Sequence, residues 1–331
     1  MTSHSFLQRI KSKLSYLSQH NQNTLNNIAE IEKLLLQRPT PKQLLNTLRQ
    51  WPHAQDFYIQ NYSFWICICL AVVALICAST IHPYFTLLGI SFVVYAFIQR
   101  QSPKAYQGLI QRLEAFILAD QYQLQFDRPT EFPDAPTVLN FPLFRLGNHN
   151  NEIRQCIYGS WTFDGKIQPF MLFNYHYINQ IETRDSDGKK KVKYEHHDLW
   201  GILVHHMSFQ GISISAHQKR NCRLGIAWNS PDIQFNQRYQ LSGRNEMQLA
   251  RFFSPSRILK LEQAMQDYQG DFYIHPDFPS LLWLFDQDIL KKQSIHTPIQ
   301  RIEDLVLHLE QLSMPQFEHL QQNLKPLLAE L

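Results

Sequence analysis

Glu195, His196, His197, Asp198, His205, His206 and His217 fall within one short stretch, and His176 precedes them by one predicted hairpin. A strand sends alternate side chains to opposite faces, so Glu195 and His197 share one face while His196 and Asp198 share the other. Two imidazoles and a carboxylate drawn from neighbouring strands are suitable ligands for zinc, iron or manganese. Glu195, His197, His205 and His217 are the candidate metal ligands, and an ion held there would make the chain a metal-dependent hydrolase. A metal needs three or four side chains converging on one point. The chain carries 15 histidines, so the competing reading places these residues on surfaces and turns.

Other chemistry loses its usual support. With 11 glycines there is neither GxGxxG nor GxxxxGK[ST], and HExxH, CxxC and GxSxG do not occur. No catalytic residue and no cofactor is therefore assigned. Lys189, Lys190, Lys191 and Lys193 follow Asp187-Gly188 and read as a solvated hairpin tip, or as a patch facing anionic lipid. Phe170, Phe173, Tyr175 and Tyr177 have no basic stripe beside them, and the net charge is only +3, so nucleic acid is not a partner. Five cysteines, three of them in one apolar segment, imply no disulfide framework.

The elements that must position these residues are strands. From Phe144 to His217 the chain is rich in aromatic and β-branched residues, with Asp164-Gly165 and Asp187-Gly188 as turn signals, which predicts about six antiparallel strands. Two more are expected at 271–275 and 281–286. Helices are predicted at 103–120, 244–253 and 254–268, with two more in the tail after Thr297-Pro298 and Ser313. At the N-terminus, leucines and isoleucines at spacings of three and four predict two amphipathic helices broken near His20-Asn21-Gln22-Asn23. A third begins at Pro41 with Thr40 as its cap.

Between these regions lies NYSFWICICLAVVALICASTIHPYFTLLGISFVVYAFIQR, from Asn61 to Arg100. Its two uncharged runs, 62–78 and 81–98, hold about 17 and 18 residues, near the lower limit for a crossing. Pro83 favours a turn between them. The expectation is a two-span hairpin in a bacterial inner membrane, with the lipid bilayer as partner through residues 61–99. Arg38, Lys42 and Arg49 before it and Arg100, Lys104 and Arg112 after it would place both termini in the cytoplasm.

Trp161, Gly165 and Phe173, then LWGILVHHMSFQG, FNQRYQLSGRNEMQLARFFSPSRILKLEQAM and DFYIHPDFPSLLWLFD, resemble an uncharacterised bacterial family catalogued as domain of unknown function 3137. The resemblance covers about half the chain, residues 103–290. It implies a two-span hairpin bearing a cytoplasmic α+β region, and a LemA-type membrane protein as partner. It implies no active site.

The fold expected is therefore α+β: an N-terminal helical region (1–60), a transmembrane helical hairpin (61–99), an antiparallel-sheet domain with flanking helices (100–290) and C-terminal helices (291–331). The function expected is a membrane-anchored interaction or scaffold module that assembles as a homo-oligomer. A membrane-tethered metal-dependent hydrolase is the alternative.

Overall fold

The computed structural model describes residues 3–100, 104–130, 132, 141–163, 165–184, 190–216, 223–294 and 298–329. The chain divides into two compact units, Met1–Ile117 with Ser294–Leu312, and Leu118–Gln293 with Ser313–Leu331.

The first unit opens with α1 (Ser3–Leu36), followed by α2 (Pro41–Arg49). The expected break at His20-Asn21-Gln22-Asn23 does not occur, because the polar run bonds sideways to a neighbouring extended segment. Asn21 donates to the Gln60 carbonyl and accepts from the Gln60 amide, both at 2.9 Å. Asn27 donates to the carbonyls of Ala54 and Asp56 at 2.7 Å each and accepts from Trp51 Nε1 at 3.0 Å. His20 Nε2 donates to the Tyr58 carbonyl at 2.8 Å. Segment 54–60 thereby satisfies backbone groups that no helix or sheet would otherwise pair. Thr40 and Gln43 form a reciprocal capping box at the start of α2, as the sequence predicts.

Two apolar helices follow, α3 (Tyr62–Thr80) and α4 (Phe85–Gln99), and then α5 (Lys104–Tyr122). The expected membrane crossings are corrected here. Ile81–Tyr84 are used in the turn, so the second run yields a helix of only 15 residues. At 1.5 Å per residue that is about 22 Å, short of the ~30 Å hydrocarbon core. Among the described residues no helix is long and apolar enough to cross a membrane. The inner-membrane placement with two spans and cytoplasmic termini falls with that expectation.

The second unit is built on a nine-stranded sheet. Its strands are β1 (Leu124–Gln125), β2 (Asn150–Phe163), β3 (Lys166–Arg184), β4 (Lys190–His205), β5 (Ile212–Ser215), β6 (Ile226–Trp228), β7 (Gln240–Gly243), β8 (Gly270–Ile274) and β9 (Ser280–Phe285). Every neighbouring pair is antiparallel, in the order β1-β2-β3-β4-β9-β8-β5-β7-β6. The helices are α6 (Ile233–Arg238), α7 (Glu246–Phe252), α8 (Pro255–Asp267), α9 (Ile302–Glu310) and α10 (Pro315–Leu328), of which α9 belongs to the first unit. The Ser313 capping box expected for α10 is not formed. Ser313 instead pairs its backbone with Gln293 at 2.9 and 3.0 Å, and Pro315 starts the helix. Thr297 lies outside the described residues, and α9 starts at Ile302.

Strand alternation sorts the core into two layers. Tyr158, Met171, Phe173, Tyr175, Leu199, Leu203, Leu282 and Leu284 point to one face, where Phe132, Phe141, Leu143 and Phe144 cover them. Tyr175 donates its hydroxyl to the carbonyls of Phe144 and Leu146, at 2.9 and 3.0 Å. On the other face Trp283 and Phe170 meet Tyr268, beside α8, and Phe317 of α10. The strands outrun this core: β3 beyond Ile178 and β4 before Glu195 form a largely exposed two-stranded arm.

Candidate functional site

The register of β3 against β4 decides which of the chemistry-bearing residues meet. His176 lies opposite Asp198, and Ile178 opposite His196, so His176, Asp198 and His196 share one face. His176 Nδ1 is 3.0 Å from Asp198 Oδ1, and His176 Nε2 is 3.2 Å from His196 Nδ1. The His176 imidazole is buried, with 2% exposure, while Asp198 and His196 lie open to solvent. A carboxylate accepts only, so His176 donates from Nδ1 and keeps a lone pair on Nε2 for the Nδ1–H of His196. His196 is then left with an unprotonated, outward Nε2. The chain Asp198–His176–His196 orients one exposed imidazole by way of a buried one. Burial pushes the nearby Asp288 carboxyl above the usual carboxylate range, and the Asp198 charge adds to the shift.

The four candidate metal ligands stand apart. Glu195, His197 and His205 share the opposite face of β4, but His197 and His205 are eight positions apart, roughly 26 Å along a strand. Lys193 Nζ holds Glu195 at 2.8 Å and keeps its carboxyl below the usual range. His197 stacks on Tyr177 with ring centroids 4.9 Å apart. His205 is buried, bonds through Nδ1 to Ser280 Oγ at 2.8 Å and packs edge-on to Phe132. Burial, with the His206 charge as a lesser contribution, pushes its pKa down to about 4. His217 lies outside the described residues. Among the described residues no three His, Cys, Asp or Glu side chains are placed to hold a metal together.

His206 has φ +61° and borders a cavity of about 430 Å³ with Gln123, itself at φ +55°, and with Gln125, Phe132, Ser160 and Ile167. Its Nδ1 donates to the Ile167 carbonyl at 3.1 Å. Phe170, Phe173 and Tyr175 are core residues, 0%, 0% and 1% exposed, so they offer no stacking platform. Of the lysine tip, Lys190 pairs with Glu182 at 3.3 Å, and Asp187, Gly188 and Lys189 lie outside the described residues.

The first unit offers a surface of another kind. Along α3 and α4 the buried positions are the small ones, Cys67, Ala71, Ala74, Gly89 and Ala96. Trp65, Ile66, Val73, Leu87, Val94 and Phe97 are among the large side chains that face outward, each 49–65% exposed. Gly89 permits the close approach, because a Cβ there would lie 3.1 Å from the Leu75 side chain and 3.3 Å from the Ala71 carbonyl oxygen. Sequence reasoning finds the apolar run but not this sorting, since both helices are apolar on every side. No family model, curated protein or solved structure matches the chain.

Proposed function

We propose that the protein is a non-enzymatic interaction module that assembles with a second copy of itself through the α3–α4 hairpin. The observation behind this reading is the outward-facing large side chains of the hairpin and its turn, which make up over half of the exposed large hydrophobic residues among the described residues. Side chains of this size at about half exposure present on the order of 1,500 Å² of apolar surface, whereas the largest patch on a typical monomer is about 300–600 Å². A standard interface takes about 800 Å² from each partner, so one hairpin suffices for a stable dimer. Two hairpins meeting back to back would form a four-helix core, with the small-residue seams inside each pair and the large residues between pairs.

The absence of the common catalytic signatures agrees with this reading, and the scattered positions of Glu195, His197 and His205 argue against a hydrolase centre built from them. The resemblance to domain of unknown function 3137 is compatible with it and carries no activity. A LemA-type protein is the alternative occupant of the same surface.

Light scattering of the full chain in aqueous buffer tests the reading. A dimer mass is expected, falling to the monomer mass in Ile76→Asp/Leu87→Asp with an unchanged circular dichroism spectrum. A monomer at every concentration would overturn it, and so would a chain that stays dispersed only with lipid vesicles or detergent.

A further inference from the structure

Along β4 one edge is left open. β9 pairs with β4 only over residues 200–205 and the chain bends after Phe285, so among the described residues no strand lies beside residues 190–198. The direction of the backbone groups there follows from β3. Gln180 gives its N–H and its C=O to the Asn148 side chain, at 2.6 and 3.1 Å, and the Ile178 carbonyl accepts from the His149 amide at 3.1 Å. Both residues thus turn their backbone groups away from β4. Tyr194 and His196, directly opposite them, turn theirs away from β3, and the two-residue alternation extends this to Lys190, Val192 and Asp198. A row of N–H and C=O groups therefore faces a position that a further strand would fill.

Lysines on such an edge ordinarily repel other strands, but the charges around Tyr194 are self-complementary. Pairing a second copy antiparallel about a two-fold axis at Tyr194 sets Lys193 opposite Glu195 and Lys190 opposite Asp198, each pair occurring twice. Unlike charges directly across a strand pair stabilise it, and like charges destabilise it. Moving the axis one residue either way sets Lys193 or Glu195 against itself. Moving it to Val192 sets Lys191 against Lys193, and moving it to His196 drives the second strand into the place of β9. Lys193 already holds Glu195 of its own strand at 2.8 Å, so across the axis the two residues of each copy form one alternating row. Lys190, Val192, Lys193 and Tyr194 are all exposed, so no side chain has to leave a core to admit the copy.

We infer that residues 190–198 of β4 are a self-pairing edge, through which two copies join their sheets about a two-fold axis at Tyr194. The contact is smaller than a standard interface, which makes it weak, with a dissociation constant on the order of 0.1 mM. It goes beyond the hairpin assembly and does not rest on it, because every residue involved belongs to the sheet unit. Where both contacts form, dimers join to dimers.

Sedimentation of full-length Ile76→Asp/Leu87→Asp, whose hairpin contact is broken, reads this edge alone. A monomer is expected at about 10 μM and a dimer at about 1 mM. In that background Lys193→Glu and Glu195→Lys each set like charges across the axis and should weaken association about tenfold. An equimolar mixture of the two should associate nearly as the background does, because unlike charges then meet between copies. The mixture separates the contact between copies from the bond within one strand, which stays broken in both variants. Tyr194→Cys should form a 194–194 disulfide under mild oxidation, since residues facing each other at the axis have Cα atoms about 5.5 Å apart, whereas Lys190→Cys should form no link to itself. A mixture no more associated than its components would overturn the inference, as would a background still monomeric at about 1 mM, and either result would leave the edge to a strand of another protein. Failure of the hairpin reading is seen separately, as a parent chain that is monomeric at about 10 μM.

Discussion

The α3–α4 hairpin and the β-sheet unit bury opposite kinds of residue. In the sheet unit the aromatic residues are inside: Phe170, Phe173, Tyr175, Trp283 and Phe285 are at most 1% exposed. In the hairpin the small residues are inside and the large ones outside. The sheet unit therefore carries its own hydrophobic stabilisation, because its large side chains leave water when the chain folds. The hairpin obtains little of that from itself. Its stability and its role both depend on what covers it, and a change of one size class should act oppositely in the two regions.

The largest effect expected is in the sheet. Phe173→Ala should cost about 3–5 kcal/mol, by loss of burial plus a cavity beneath Phe144. Urea denaturation of the monomeric Ile76→Asp/Leu87→Asp background would measure it, and a loss below about 1 kcal/mol would mean that the core is not organised as described.

A pH series separates the regions next. His205 has an ordinary pKa of 6.5 when unfolded and about 4 when folded. Between these values the unfolded chain binds the proton and the folded chain does not, so stability is full above about pH 6.5 and declines as pH falls toward about 4. The decline amounts to about 3 kcal/mol for this one group. His205→Gln should flatten that slope between pH 7 and pH 4.5, and equal slopes in parent and variant would refute the assignment. The hairpin has no carboxylate or lysine between Tyr62 and Ile98, and its one histidine, His82, lies in the turn outside both helices, so self-association through the helix faces should change less than sheet stability over the same range.

Asn27→Ala should cost about 2 kcal/mol, since it strips partners from the Ala54 and Asp56 carbonyls and from Trp51 Nε1 together. Greater amide exchange confined to residues 51–60 would be the accompanying signal, and unchanged exchange there would count against the sideways pairing. The smallest stability effect belongs to Leu87→Gln on the hairpin exterior. It should move monomer stability by under about 0.5 kcal/mol while weakening self-association, a combination that no sheet-core substitution should show.

Much of this architecture is legible in the sequence because it depends on local periodicity and local caps. Thr40-Pro41 marks the start of α2, and the aromatic and β-branched stretch from Phe144 to His217 marks antiparallel strands whose side chains alternate between faces. That alternation also sorts Glu195 and His197 from His196 and Asp198, a division the structure preserves. The polar run from His20 to Asn27 misleads a periodicity argument. Its sideways hydrogen bonds run to residues 24–39 positions away, and local pattern holds no information about them.

Pairing register and helix length are likewise tertiary quantities. Nothing local states that His176 stands opposite Asp198, because sliding β3 by one residue against β4 would reverse every facing pair. Nothing in the composition of 81–98 states that four residues go into the turn and leave α4 too short to span a bilayer. The sequence by itself determined which residues alternate, which cap and which are apolar. Only the folded chain decided which of them meet, since contacts between distant residues depend on register and packing.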